Sequence, residues 1–373
     1  MKNFNAGYYN SQGSFKSFQP EKINRRWIIE DIDVINLLSK ADRQIGRLDM
    51  YSEYIPNIDL FIKMHIAKEA TKSNKIEGTK TNIEEALLRK EDVSGEKRDD
   101  WVEVQNYIEA MKTSIEDLRK IPFSTRMIKN AHSILLKSAR GEFRTPGEFR
   151  RSQNWIGGAT IDDAVFVPPG HTTIDEYMGD LENFIHDEKN VIPDLLKIAL
   201  IHYQFETIHP FLDGNGRIGR LMITLYLVDK KILKRPVLYL SDFFEKNRGL
   251  YYENLTRVRE NNEIEQWFKF FLVGVIETAE NCIDTLDKTM KLRQSISEKL
   301  NPLGARANKA RIVVDHLFSN PIIDADGLKQ VTKQSYTSVY KLLQVLEELN
   351  ILREVTGGKR RKRYVFKEYL NLF

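Results

Sequence analysis

Twelve consecutive residues, His209-Pro210-Phe211-Leu212-Asp213-Gly214-Asn215-Gly216-Arg217-Ile218-Gly219-Arg220, bring together an imidazole, a carboxylate, an amide, three glycines and two guanidiniums. His209 is the group among them that can take a proton from an attacking hydroxyl near neutral pH. Asp213 offers the hard oxygen that Mg²⁺ prefers, the ion keeping waters and substrate phosphates as its other ligands. Gly214 and Gly216 let the backbone turn with N–H groups pointing inward at the start of a helix, an arrangement that binds anions. Arg217 and Arg220 lie three apart, so they share roughly one helix face and can hold two phosphate groups through forked hydrogen bonds. The chemistry these parts can do together is nucleotidyl or phosphoryl transfer.

Two helices must position this stretch. The run from Pro193 to Ile208 carries apolar residues at Leu195, Leu196, Ile198, Ala199, Ile201 and Phe205, a pattern closer to a buried helix than to a strand. Pro210 ends it by pressing His209 towards extended geometry. A second apolar run, Ile218 to Val228, begins directly after Arg217. Gly214 to Gly219 also satisfies G-x-G-x-x-G, but the dinucleotide fingerprint needs a strand before it and here a helix precedes it. The Walker pattern fails too, for want of Lys-Ser or Lys-Thr at the required distance.

The twelve residues resemble the signature H-x-F-x-[DE]-G-N-G-R-x-x-R of the Fic family at every specified position. The resemblance implies transfer of AMP from ATP to protein hydroxyls, with His209 deprotonating a Ser, Thr or Tyr hydroxyl and Asp213 ligating Mg²⁺. It further implies that Leu212 and Gly214 to Gly216 line the nucleotide, that Asn215 and the glycine amides hold the α-phosphate, and that Arg217 and Arg220 hold the rest of the triphosphate. Phe211 is expected to be buried, fixing the loop.

Upstream, Ser73 and Glu77 are four apart on one helix face, and Gly78 is a natural residue just past a helix end. Ser73-x-x-x-Glu77-Gly78 resembles the inhibitory motif [ST]-x-x-x-E-[GN] that accompanies many Fic cores. In the subclass with an N-terminal inhibitory helix, the resemblance implies that Glu77 pairs with Arg220 and occupies the arginine meant for the γ-phosphate. ATP then binds with its α-phosphate out of line with the incoming hydroxyl.

The remaining chain frames these motifs. It has 373 residues, 41% of them hydrophobic, and Lys plus Arg exceed Asp plus Glu by 57 to 53, an excess too small to imply nucleic acid by itself. The one cysteine, Cys282, cannot form an internal disulfide. With no apolar run near eighteen residues and no signal sequence, a soluble cytoplasmic protein without a membrane partner is expected.

Residues 1–25 read as an irregular arm that packs its aromatics on the body. Residues 26–100 read as an N-terminal helical region containing the inhibitory helix, and residues 101–290 as the Fic core. Phe149 to Ile156 and Ala164 to Pro168 are expected to flank a hairpin turning near Gly157 to Asp163. By the resemblance this is a flap that holds the target as an added strand. Tyr251 or its neighbour Tyr252 is expected to line the adenine or ribose.

Residues 305–373 show three helical runs, Arg306 to Phe318, Asp326 to Thr332 and Tyr336 to Leu349, then a hairpin from Leu352 to Phe366 with a basic tip at Lys359 to Arg363. This resembles a winged helix. Its third helix, starting after Ser335, can present Lys333, Gln334, Tyr336, Thr337 and Lys341 to a DNA groove, but the module also serves protein docking or homodimerisation, which is the favoured expectation over DNA. The expected fold class is therefore mostly α: a Fic-type helical core with a β-hairpin flap, an N-terminal helical region and a C-terminal winged-helix-like domain. The expected activity is autoinhibited protein adenylylation. A DNA-binding regulator with a nucleotide-sensing core, or a Fic enzyme that removes AMP or transfers phosphate, are the alternatives.

Overall fold

Helical periodicity in the sequence becomes helix along nearly the whole chain, in a computed structural model that describes residues 4–55, 57–137, 142–189, 192–358 and 362–373. An antiparallel hairpin, β1 (Gly7–Gln12) and β2 (Phe15–Pro20), comes first. The helices that follow are α1 (Ile32–Tyr54), α2 (Ile58–Ile76), the short α3 (Ile83–Ala86), α4 (Arg98–Asp117) and α5 (Thr125–Leu135). After the flap region come α6 (Ile174–His186), α7 (Asp194–Ile208), α8 (Asn215–Asp229), α9 (Ser241–Lys246), α10 (Arg248–Asn261) and the long α11 (Ile264–Leu300). The C-terminal unit holds α12 (Ala307–Leu317), β3 (Ile322–Asp324), α13 (Ala325–Thr332), α14 (Tyr336–Glu348), β4 (Arg353–Glu354), β5 (Arg363–Val365) and α15 (Lys367–Leu370).

The centre of the molecule is α7. All fourteen residues from Leu195 to Ile208 are buried, as expected for a helix that is apolar nearly all round. One hydrophobic core surrounds it, drawing on residues from Ala6 to Leu286. A second core runs from Leu292 to Leu370 and takes in Met64 of α2. Helix α11 passes from one core into the other. Phe61 and His65 of α2 also meet the ring of Phe373, at centroid distances of 5.7 and 5.0 Å. Helix α2 is thus gripped by the C-terminal unit along its first half and carries Ser73 near its other end.

Within the expected irregular arm, residues 7–20 form a hairpin. Gly13, at φ 70°, makes the two-residue turn that lets residues 7–12 pair with residues 15–20. Phe18 is then fully buried, and its N–H donates to the Val167 carbonyl at 2.9 Å, tying the hairpin to the flap region.

The flap is slighter than a two-strand hairpin. A single antiparallel bridge joins Ile156 to Phe166. Gly157 and Gly158 sit at positive φ, and the Asp163 carboxylate gathers the N–H groups of Ala159 and Thr160, closing a compact loop instead of extending a ladder. Pro168 and Pro169 cannot donate to a ladder on the returning side.

Elsewhere the division expected between residues 100 and 101 falls in the first turn of α4. The C-terminal unit has the three expected helices, with Ser335 accepting the Ser338 N–H as N-cap of α14. Its hairpin gains a third strand, in the order β3-β5-β4, because three-residue β3 is too short to show a period. Of the basic tip, Lys359 to Arg361 lie outside the described residues. No helix among the described residues is long and apolar enough to cross a membrane.

Candidate active site

Helix α7 ends at His209, whose φ of 50° and ψ of 60° are left-handed, not the extended geometry that Pro210 suggested. The His209 N–H still closes the helix by donating to the Phe205 carbonyl at 2.9 Å. A left-handed imidazole-bearing residue costs about 1–2 kcal/mol, so neighbouring bonds must hold it there. Its Nδ1 donates to the Glu206 carbonyl at 3.3 Å, a partner that can only accept, which leaves Nε2 as the lone-pair atom. Burial lowers the His209 pKa to about 4; the Glu206 carbonyl works against this and the Arg150 charge adds to it. His209 is therefore a neutral base at physiological pH.

The loop after His209 is folded back on itself. Phe211 is fully buried and stacks on the ring of His132 at 3.7 Å with an 11° interplanar angle. His132 accepts the Gly147 N–H at 2.9 Å on Nδ1, so its Nε2 donates to the Asp213 carbonyl at 3.0 Å. Asn215 accepts the Phe211 N–H and donates to the Phe211 carbonyl, both at 2.8 Å. The Asn215 side chain thus staples the loop with its Oδ1 and one of its two Nδ2 hydrogens. The first-turn N–H groups of Asn215, Gly216 and Arg217, which have no intrahelical acceptor, are further donors for a phosphate.

Removing the staple has a calculable cost. In Asn215→Ala the Phe211 carbonyl keeps the Asn154 amide at 2.9 Å, whereas the buried Phe211 N–H loses its acceptor. Urea unfolding should show a loss of about 1–3 kcal/mol, the cost of one buried unsatisfied donor.

The two arginines face the end of α2. Arg220 donates from Nε to Ser73 Oγ and from Nη2 to the Ser73 carbonyl, both at 2.9 Å, and reaches Glu77 Oε1 at 2.7 Å. Burial alone would depress this guanidinium, but Glu77 beside it holds its pKa above the ordinary range. Arg217 contacts Asn74 Oδ1 at 3.3 Å, Glu103 at 3.4 Å and Asp213 at 3.5 Å. Both side chains are nearly fully buried, so neither is presented freely to a phosphate in this conformation.

Glu77 is the C-cap of α2 and Gly78 follows it at φ 100°, where a side chain would be strained. Gly216 lies in the first turn of α8 and not in the preceding turn, and its role is space: a Cβ there would sit 2.4 Å from Glu77 Oε1. Gly214, at φ 76°, is the residue that turns the chain into α8. Leu212 is half-buried and Asp213 exposed, its Oδ1 accepting the Gly214 N–H at 2.6 Å. Among the described residues no cluster of three metal-ligating side chains is formed.

Tyr251 does not face a nucleotide. It is 1% exposed, packed on Phe244 at 4.5 Å, with its hydroxyl 2.8 Å from His202 Nε2. Two adjacent helical residues point apart, and it is Tyr252, 40% exposed and within electrostatic reach of Glu77 and Arg220, that borders the site.

Sequence reasoning passed over Glu206 and Arg150. Glu206 is buried beside Gly219, where a Cβ would come within 2.3 Å of its Oε1, and burial raises its pKa to about 7. One turn before His209, it looked like another position of a buried helix. Arg150 was one of several arginines in a loop, with nothing local to distinguish it.

Four buried histidines carry a pH consequence. His65 and His202 are lowered by burial to about 3, and His132 and His209 to about 4. Above the unfolded value of 6.5 they cost nothing. As pH falls below it, the unfolded chain takes up protons that the folded one refuses, so stability is lost progressively down to about pH 4. At pH 5 each histidine contributes a loss of roughly 2 kcal/mol. Glu69 and Glu206, raised by burial, gain stability as pH falls and offset part of it. Urea unfolding at pH 7 and pH 5 should therefore differ by a net few kcal/mol, with the protein weaker in acid.

A helical core, a left-handed histidine at the end of its central helix and an arginine-bearing first turn opposite define a class: the chain belongs to the Fic/DOC family. The Fic/DOC family N-terminal model matches residues 35–116 and the Fic/DOC family model residues 122–227. A probable protein adenylyltransferase of Aquifex aeolicus is 33% identical over 125 residues, 32% of this chain and 37% of that protein. The protein adenylyltransferase Fic of Drosophila grimshawi is 39% identical over 83 residues, 22% of this chain and 16% of that protein. The chain thus spans well under half the length of these curated relatives. Among solved structures, a Fic family protein from Desulfovibrio desulfuricans superposes with a TM-score of 0.57 at 19% identity, over 92% of this chain and 98% of that one. Fic-1 from C. elegans gives a TM-score of 0.51 at 19% identity, over 69% of this chain and 74% of that one. At these identities the likeness is one of fold.

Proposed function

We propose that the chain is a protein adenylyltransferase held off by its own Glu77. The observation that carries this reading is the neutral His209 imidazole with Nε2 free, set directly before the unpaired N–H groups of the first turn of α8. His209 takes the proton from a Ser, Thr or Tyr hydroxyl of the target. The hydroxyl oxygen attacks the α-phosphorus of ATP, the bond to the β-phosphate oxygen breaks, and pyrophosphate leaves. Asp213 would hold a Mg²⁺, which when bound would supply charge neutralisation to the phosphates. The first turn of α8 holds the phosphates, and Arg217 and Arg220 hold the outer ones once Glu77 no longer occupies Arg220. Glu77 on Arg220 denies the γ-phosphate its partner, so the α-phosphate sits out of line and the attack fails for want of orientation.

Target segments pair along the flap, where Trp155 and Val165 are exposed, and their backbone supplies the bonds. ATP labelled on the α-phosphate should transfer label to protein, while ATP labelled on the γ-phosphate should not. The reverse pattern would make the enzyme a phosphotransferase. A second reading, a DNA-binding regulator with a nucleotide-sensing core, draws on the exposed Thr337, Tyr340 and Lys341 of α14 in the winged-helix-like unit. A steeply salt-dependent affinity for duplex DNA, together with no label from either nucleotide, is the outcome that selects it.

A further inference from the structure

Arg150 is 2% exposed and lies just before the flap. Its guanidinium spends every contact on main-chain carbonyls: Nε to His209 at 3.0 Å, Nη1 to Ser152 at 3.0 Å, and Nη2 to Pro169 at 2.6 Å and Ile208 at 3.4 Å. The Arg150 N–H adds a bond to the Pro210 carbonyl at 2.9 Å. The group therefore touches Ile208, His209 and Pro210 on one side and both feet of the flap, Ser152 and Pro169, on the other. Among the described residues no carboxylate forms an ion pair with it, and burial lowers its pKa to about 10. A buried cation without a counter-charge is costly, and a hydrophobic residue of similar size would be the cheaper filler if packing were the whole requirement.

We infer that Arg150 is the positioning residue that fixes the catalytic base and the target-docking flap in one frame, by clamping the left-handed turn at His209 to the feet of the flap. The inference rests on the adenylyltransferase reading for its catalytic consequence. Two effects follow from the geometry. Three bonds to carbonyls around His209, from Nε to His209, from Nη2 to Ile208 and from the Arg150 N–H to Pro210, hold the turn in a conformation that a non-glycine residue does not choose. Because the same guanidinium reaches Ser152 and Pro169, the hydroxyl presented by a strand on the flap meets Nε2 at a set distance, and small errors there cost large factors in rate. The cation also bears on the protonation of His209. The charged groups facing that imidazole are Arg150, Glu77 from the end of α2 and Arg259 from α10, of which the two arginines favour the neutral form.

The test uses full-length protein carrying Glu77→Gly as parent, with Arg150→Met and Arg150→Lys added to it. Methionine removes both the fork and the charge; lysine keeps a charge that cannot reach four carbonyls. Arg150→Met should lower kcat for AMP transfer on the order of a hundredfold while KM for ATP changes little. The His209 imidazole, followed by NMR and assigned with His209→Asn, should titrate at higher pH in the methionine variant and close to the parent in the lysine variant. Arg150→Lys should also lose kcat, which keeps the inference testable if the methionine variant does not fold. Parent-like kcat in the lysine variant, or an unmoved His209 titration in a folded methionine variant, would overturn it. If the parent itself transfers no AMP, it is the adenylyltransferase reading that fails, and the NMR titrations still decide whether Arg150 governs His209.

Discussion

Replacing Glu77 by glycine is expected to raise AMP transfer on the order of a hundredfold, the factor that a misplacement of about 1 Å costs an oriented reaction. The reason lies in what Arg220 holds. Its side chain is 1% exposed, and with Glu77 present its Nη2 is shared between the Ser73 carbonyl and the Glu77 carboxylate. Removing the carboxylate leaves both Ser73 bonds in place, so the guanidinium stays where it is and gains a free donor edge. The space next to Gly216, which a carboxylate oxygen now fills, becomes available to a phosphate. Affinity for ATP should change far less than rate, since the first turn of α8 binds phosphate in either case. Stability should barely move either: the Glu77 side chain is 38% exposed, so solvent screens its share of the pair. A rise in kcat with an unchanged melting temperature is the combined result to look for.

Loss of the imidazole should have the next largest effect. In the Glu77→Gly protein, His209→Ala is expected to lower AMP transfer by about 10²–10⁴-fold, the usual worth of a positioned general base. Alanine also dislikes the left-handed geometry at φ 50°, so part of any loss could be ascribed to the turn. His209→Asn separates the two, because asparagine tolerates that geometry while its amide cannot accept the proton. Equal losses in the two variants assign the effect to the base. A much smaller loss with asparagine would assign it to the backbone.

What could be read in the sequence was what is local. The glycine turn of α8, the end of α2 at Gly78 and the facing of Ser73 and Glu77 all follow from spacing within a few residues, whereas the burial of Phe211 was implied by the resemblance. The structure adds the pairing across 143 residues that brings Glu77 to Arg220. The resemblance implied that contact; no periodicity could. Residues misread locally were those whose partners are distant or whose competing bond is close. For Asn215 the resemblance implied a hold on the α-phosphate but gave no sign of its bonds to the backbone of Phe211, four residues back. Tyr251 looked equivalent to Tyr252 until His202, on α7, claimed its hydroxyl.

The residues missed entirely have the same explanation. Arg150 acquires meaning only when Ile208, His209 and Pro169 converge on it, and His132 only when Phe211 stacks against it. The flap fell short of a ladder because Asp163 satisfied the loop amides first. The N-terminal arm became a hairpin because one glycine, Gly13, took positive φ in a stretch otherwise without a strand signal.

The central claim, a base-catalysed adenylyl transfer restrained by one carboxylate, is tested most directly by one labelling measurement. Full-length wild type, Glu77→Gly and Glu77→Gly with His209→Ala are each incubated with Mg²⁺ and ATP labelled on the α-phosphate, with and without a cell lysate, and protein-bound label is counted. The account predicts little label on wild type, a large rise with Glu77→Gly, and its disappearance when His209 is also removed. Equal labelling of wild type and Glu77→Gly, or label that survives the loss of His209, would contradict it.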